Sequence, residues 1–129
     1  MAKLPGISID NALYNEIFAN HVTGNFGGGV KMVRTGLFNV IGVNVVSDNN
    51  LGENTKYHFF GIELGAASAD QPAADLDFVG SSGNVISRNT IQGSHYSGIF
   101  LAPGSIQNDI LDNGIAGVEA FAVESASRY

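Results

Sequence analysis

The sequence lacks cysteine and tryptophan, and it has only three prolines and few charged residues. Without cysteine there can be no disulfide, no zinc thiolate site and no cysteine nucleophile. Charged residues make up 14% of the chain, and 12 acidic residues outnumber 6 lysines and arginines, which gives a formal net charge of -6. Because nucleic-acid binding needs a basic surface, this balance predicts no nucleic-acid partner.

Long apolar runs are absent too. No stretch approaches the roughly 20 consecutive apolar residues of a membrane-spanning helix, and the N-terminal residues contain no apolar run of signal-peptide length. We therefore expect no membrane partner. A chain of 129 residues with 44% hydrophobic residues is long enough for one core, so we expect a single domain over residues 1–129.

Glycine and asparagine, in contrast, are abundant: the chain has 17 glycines and 13 asparagines. Both residues tolerate left-handed backbone conformations, so their excess predicts many tight turns and few long helices. The asparagines also belong to a repeat. The pattern Asn-x-Ile-x-x-Asn occurs four times, and each copy is followed, two places later, by an aliphatic residue. The copies are residues 15–20, 39–44, 84–89 and 108–113, followed by Val22, Val46, Ile91 and Ile115.

A second pattern, Gly-aliphatic-x-apolar, occurs five times and alternates with the first. Its copies begin at Gly6, Gly29, Gly61, Gly98 and Gly117. The first and last intervals between copies of the asparagine pattern are equal and define the period. The middle interval, from Asn39 to Asn84, contains one period and a further stretch of residues almost as long. We place its additional residues in two loop insertions, near residues 48–56 and 65–79, because a stacked coil can bulge outward without disturbing its neighbours.

The apolar positions alternate with a period of two, which places them on one face of a short strand. A helical repeat is disfavoured because valine and isoleucine dominate these positions and glycine and asparagine interrupt them. The sequence therefore predicts an all-β fold, a parallel β-helix of about four to five short coils. We expect one ladder of stacked asparagines at a tight corner, formed by Asn20, Asn44, Asn89 and Asn113. We expect inward columns at Ile17, Ile41, Ile86 and Ile110, and at Val30, Ile62 and Ile99.

Residues 84–91 and 98–101 resemble the repeat unit of the pectin-lyase-like right-handed parallel β-helix superfamily, which includes polysaccharide lyases and epimerases. The resemblance extends from Gly6 to about Ala120. It implies three strands per coil: Gly-aliphatic-x-apolar forms the first, Asn-x-Ile the second, and the chain turns at the second asparagine into the third. It also implies a substrate groove on the first-strand face and an extracellular or periplasmic location.

Both insertions flank the same first strand and would form walls beside the groove. The residues expected to point outward there are Ser8, Lys31, Glu63, Phe100 and Glu119. Lys31 and Glu63 lie on consecutive coils, so they are either groove residues or a surface ion pair. Tyr57 and Tyr96 could form a stacking platform for a sugar ring. The candidate substrate-binding residues are thus Tyr57, Tyr96, Lys31, Glu63 and Phe100.

Candidate catalytic residues are few. His58 and His95 each precede a repeat glycine by three residues, so they would lie in one column and could share a metal or act as acid and base. The alternative is an aromatic stack beside the neighbouring tyrosines. Arg34 lies close to a first strand and is the candidate arginine base or anion clamp. The Asp-Pro-His motif of alginate epimerases is absent, so no catalytic role can be transferred from that group.

The second insertion contains Asp75-x-Asp77, which could contribute to a calcium site, although ordinary loop solvation is the favoured explanation. No other cofactor is expected. Two functions remain open. The first is a carbohydrate-interacting protein, such as a lyase-, hydrolase- or epimerase-like fragment. The second is a non-catalytic structural or self-associating module, such as a fragment of an adhesin or phage-tail protein. Short, poorly capped ends suggest a homo-oligomer or part of a larger chain, with residues 121–123 as a C-terminal cap.

Overall fold

The computed structural model describes residues 4–51, 59–66 and 81–125. These residues form thirteen short strands. They contain no helix that is long and apolar enough to cross a membrane. The strands are β1 (Ile7–Asp10), β2 (Glu16–Phe18), β3 (His21–Thr23), β4 (Val30–Val33), β5 (Val40–Gly42), β6 (Val45–Ser47), β7 (Ile62–Ala66), β8 (Val85–Ser87), β9 (Thr90–Gln92), β10 (Ile99–Leu101), β11 (Asp109–Leu111), β12 (Gly114–Ala116) and β13 (Val123–Ser125).

Every third strand pairs in parallel, which gives three sheets. The first sheet has the order β1-β4-β7-β10-β13, the second β2-β5-β8-β11 and the third β3-β6-β9-β12. The chain therefore forms a short right-handed parallel β-helix with four coils and the first strand of a fifth, as the sequence predicts. Most of the two predicted insertions, near residues 48–56 and 65–79, lies outside the described residues.

The predicted inward columns are confirmed by the strand register. Ile17, Ile41, Ile86 and Ile110 are successive partners in the second sheet, and Val30, Ile62 and Ile99 are successive partners in the first. The two central coils are the driest part of the core, since Ile41, Val46, Ile86 and Ile91 are fully buried. Because strands in a sheet lie about 4.8 Å apart, each apolar side chain packs directly on its counterpart in the next coil.

The predicted asparagine ladder is also confirmed. The Oδ1 atom of Asn44 accepts hydrogen bonds from the backbone N–H of Asn20 at 2.9 Å and from Asn20 Nδ2 at 3.1 Å. Asn44 Nδ2 donates to the Ile17 carbonyl and to Asn89 Oδ1, both at 2.9 Å. The amide thus uses its acceptor and both donors within the protein, which removes the cost of burying it.

Two further ladders accompany it. The first asparagine of each repeat forms one, through Asn15, Asn39, Asn84 and Asn108. Asn25 and Asn49 form the start of a third. The left-handed residue of each corner is the one before the asparagine: Ala19, Val43, Arg88 and Asp112 have φ angles of 55–59°. The ladder asparagines therefore bridge coils while their predecessors turn the chain.

The fifth first strand differs from the prediction. Residues 117–120 match the glycine pattern, but they lie in the corner that follows β12, and Val123–Ser125 forms the strand that pairs with β10. Six residues connect the third strand to the next first strand both here and between β3 and β4, so the length of this corner determines the register. Glu124, and not Glu119, therefore lies beside Phe100. The expected cap at 121–123 is likewise wrong, because the carbonyls of Phe121 and Ala122 accept β-helix hydrogen bonds from Gly98 and Ile99.

Candidate functional site

The outer face of the first sheet, where the groove was expected, has a buried ion pair at its centre. Lys31 and Glu63 are partners in β4 and β7, with 3.7 Å between Nζ and Oε1, and both side chains are fully buried. Lys31 Nζ also lies 4.6 Å from the centroid of the buried Phe59 ring. The expectation of a surface ion pair is therefore wrong. Strand alternation correctly placed both residues outside the core, but it cannot show that this outer face is itself covered.

Aromatic rings continue the same face. Phe60 stacks on Phe100 with 4.4 Å between centroids, and Tyr96 meets Phe60 edge-on at 6.2 Å. Phe60 and Phe100 are buried, whereas Tyr96 is half-buried. Of the candidate substrate-binding residues that the structure describes, Tyr96 is thus the one with accessible surface. Tyr57 lies outside the described residues, so its pairing with Tyr96 stays a prediction.

His95 is part of the third ladder. Its Nε2 lies 3.0 Å from Asn49 Nδ2 and takes the place of the Oδ1 acceptor that an asparagine supplies in the other ladders. Asn49 Oδ1 accepts the backbone N–H of Asn25, which fixes the amide orientation and makes Asn49 Nδ2 the donor. His95 Nε2 must therefore accept, and its proton resides on Nδ1, which has no hydrogen-bond partner among the described residues. Burial lowers the pKa of His95 to about 4, partly opposed by Asp48, so the ring is neutral at pH 7.

The other candidate catalytic and metal-binding residues give no assembled site. His58, Asp75 and Asp77 lie outside the described residues, so the histidine pair and the calcium site stay predictions. Arg34 is exposed and forms an ion pair with Asp10 of the preceding coil. Within residues 4–51, 59–66 and 81–125, no group of three or more histidine, aspartate or glutamate residues could hold a metal ion.

An exposed aromatic pair lies at the corner before the second sheet. The rings of Tyr14 and Phe38 stack with 5.4 Å between centroids and 16° between planes, and the residues are 75% and 52% exposed. The Phe38 ring in turn lies over Gly83, where a Cβ atom would come within 2.6 Å of it. We call Tyr14 and Phe38 the aromatic pair. The sequence reasoning missed it, although an aromatic residue directly before the first asparagine of two consecutive repeats was a visible signal.

Polar groups and a third ring follow Tyr14 along the chain. Phe18 is exposed at the end of β2, and its ring would lie 3.4 Å from a Cβ atom placed on Gly42 in the next coil. Glu16 is exposed between Tyr14 and Phe18 along the chain. The Oδ1 atom of Asn15 accepts no hydrogen bond from the described residues, because Asn15 belongs to the first coil and only donates. This corner thus combines apolar ring surface with hydrogen-bond acceptors.

A depression of about 340 Å³ lies at the open edge of the first coil. Its lining residues are Gly6, Ile7, Asn20, His21, Val22, Thr23 and Asn25. Here, too, the Oδ1 atoms of Asn20 and Asn25 accept no hydrogen bond from the described residues, although Oδ1 atoms in later coils accept two. The edge therefore has the acceptors of a ladder without a donor above them.

Comparison of the chain with protein-family models, with curated proteins and with solved structures finds no match.

Proposed function

We propose that this β-helix is a carbohydrate-interacting protein that binds an oligosaccharide or a section of a polysaccharide. The observation that carries the proposal is the aromatic pair, Tyr14 and Phe38, which is stacked and largely exposed. The resemblance of the repeats to the pectin-lyase-like superfamily, whose members include polysaccharide lyases and epimerases, adds support by analogy. We assign no reaction to the site.

The chemistry of a sugar ring suits this corner. A pyranose has an apolar face of C–H groups and a rim of hydroxyl groups, so it needs an aromatic surface beside hydrogen-bond acceptors. Because Phe38 covers one face of the Tyr14 ring, the other face is left open, in accord with the high exposure of Tyr14. The carboxylate of Glu16 and Oδ1 of Asn15 can accept hydrogen bonds from hydroxyl groups.

Titration with neutral and acidic oligosaccharides, followed by NMR chemical shifts, tests the proposal. We expect shifts centred on Tyr14 and Phe38, and a loss of about 5-fold or more in affinity in Tyr14→Ala, since stacking on an aromatic ring is worth about 1–3 kcal/mol in comparable ring-on-ring contacts. Gln107→Ala is the matched control, because Gln107 occupies the same corner position in the fourth coil, after the bridged residue Ile106. Unchanged spectra at millimolar oligosaccharide would refute the proposal.

The groove on the first-strand face remains a separate prediction for the same ligand class. Tyr96 is the described residue through which it can be tested. If the ligand also contacts that face, Tyr96→Phe and Tyr96→Ala should weaken binding independently of Tyr14→Ala.

A self-associating module is the second candidate, and the first coil favours it. Its three strands, β1, β2 and β3, are edge strands, and the corner asparagines Asn15, Asn20 and Asn25 have Oδ1 acceptors that no described residue uses. Edge strands with unpaired backbone groups are templates for another chain. Light scattering over a 100-fold range of protein concentration tests this candidate: a rising mass supports it, and a constant monomer mass contradicts it.

A further inference from the structure

We infer that the glycan bound at the aromatic pair is neutral, and that polyuronates are selected against by Glu16. This inference rests on the proposed function and narrows its ligand class. It concerns the charge of the ligand, which the rings themselves cannot distinguish, because stacking on Tyr14 and Phe38 is open to any sugar with an apolar face.

The position of Glu16 carries the inference. Glu16 begins β2, points outward and is exposed, and its partner in the next coil is Val40. Glu16 lies two residues after Tyr14 and two before Phe18, and all three are exposed, so a sugar that extends from Tyr14 along β2 would come close to the carboxylate. Residues 13–20 and 37–44, which form this corner and the first two strands of the second sheet, contain no other charged residue.

No described cation can offset this charge. Lys31 is buried in its pair with Glu63, and Arg34 is paired with Asp10. Arg88 is exposed, but it lies at the far corner of the second sheet and in the third coil, about 10 Å along the axis from the first. A uronate carboxylate at the aromatic pair would therefore meet Glu16 without a neutralising partner among the described residues, in a chain whose net charge is already -6.

The hydroxyl groups of a neutral sugar, in contrast, can donate to Glu16. A carboxylate accepts hydrogen bonds on two oxygens, and such charge-assisted bonds are stronger than neutral ones. The same side chain thus favours a hydroxyl rim and repels an acidic one. Since the site is exposed, the repulsion should be modest in size and should weaken when salt shortens the Debye length.

The test compares two ligands of equal length, a neutral xylo-oligosaccharide and an oligogalacturonate, at 20 mM and 500 mM salt. We expect the neutral ligand to bind several-fold more tightly at low salt, and the difference to shrink at high salt. Glu16→Gln should raise the affinity for the oligogalacturonate several-fold. Asp109→Asn is the matched control: Asp109 occupies the same outward column in β11, three coils or about 14 Å away, and its substitution should have no such effect.

The outcomes separate the two proposals. If the oligogalacturonate binds as tightly as the neutral ligand at low salt, the inference is overturned and the carbohydrate function stands. A glucosamine oligomer that binds more tightly than both would also overturn neutrality. If neither ligand produces shifts at Tyr14 and Phe38, the proposed function itself fails. Thermal melts of Glu16→Gln serve to confirm that the exposed substitution leaves the fold intact.

Discussion

At the scale of single residues, two neighbouring residues have separate roles at each corner. Val43 adopts a φ of 55° and turns the chain at the corner, while Asn44 follows and links three coils by its amide. The asparagines were predictable from their spacing because they recur with the period of the coil. The residues before them were not, since alanine, valine, arginine and aspartate share no side-chain property that indicates a left-handed conformation.

Val43→Gly should stabilise the protein. A left-handed conformation costs a residue with a Cβ atom about 1–2 kcal/mol, and a β-branched side chain is the least suited to it. Val43 is 42% exposed, so only part of the packing of a buried valine is lost. After allowance for the greater flexibility of glycine in the unfolded chain, we expect a gain of roughly 1 kcal/mol in the free energy of unfolding. Urea denaturation measures it, and Val45→Gly, within β6, should instead destabilise.

Asn89→Ala should be strongly destabilising. The substitution removes the acceptor of the backbone N–H and Nδ2 groups of Asn44 in the buried interior, and it takes one hydrogen bond from the Ile41 carbonyl. Since each buried unsatisfied group costs about 1–3 kcal/mol, we expect a loss of about 2–4 kcal/mol. Asn20→Ala, in the first coil, removes only donated bonds at a partly exposed position and should cost less than half as much. Equal losses in thermal melts would show that the ladder bonds contribute little.

At the scale of elements, strand pairing corrects what motif matching misplaced. Gly117 matches the first-strand pattern but follows Gly98 by less than one period. Val123 follows Ile99 by the same interval that separates Asn84 from Asn108, and it pairs with Ile99. Counting the period would have placed β13 correctly. The burial of Lys31 and Glu63 could not be read in this way, because period-two alternation reports which face a residue is on and not what covers that face.

The burial of His95 in the third ladder likewise could not be read from the alternation of residues. This buried histidine predicts that the stability of the protein depends on pH. The pKa of His95 is lowered from 6.5 to about 4 by burial, so the unfolded chain takes up the proton first as the pH falls. The contribution of His95 to the free energy of unfolding should be constant above pH 6.5. It should fall by about 1.4 kcal/mol per pH unit down to pH 4, a total of roughly 3 kcal/mol.

His95→Asn isolates this contribution, because asparagine keeps a ladder acceptor and does not titrate. The difference in unfolding free energy between the wild type and His95→Asn should change between pH 6.5 and pH 4 and remain constant above that range. A slope that persists in His95→Asn would assign the pH dependence to the carboxylates.

At the scale of the whole molecule, each coil contacts only its neighbours, so stability should vary along the axis. The inward residues of the second and third coils are fully buried, whereas Ile110 and Ile115 in the fourth coil are only half-buried. The overall architecture was predictable because it follows from one repeated spacing. The aromatic pair was not predicted, because an exposed ring adds nothing to the periodic pattern of buried residues.

Native-state hydrogen exchange should resolve this gradient. We expect amides of β5, β6, β8 and β9 to exchange through the highest free energies of opening, and amides of β11 and β12 through lower ones, because the latter strands lie at the edge of their sheets. Uniform protection across all four coils would instead indicate that the β-helix opens as one cooperative unit.

The amide ladders also give the molecule a direction. Every bond between two ladder asparagines runs from an N–H of one coil to the Oδ1 atom of the next, so the first coil presents acceptors and the fourth, at Asn108 and Asn113, presents donors. Two copies that met through identical ends would place like groups against each other. Any end-to-end contact must therefore join the first coil of one copy to the fourth coil of another, head to tail. Such contacts favour open chains of molecules over a closed two-fold pair.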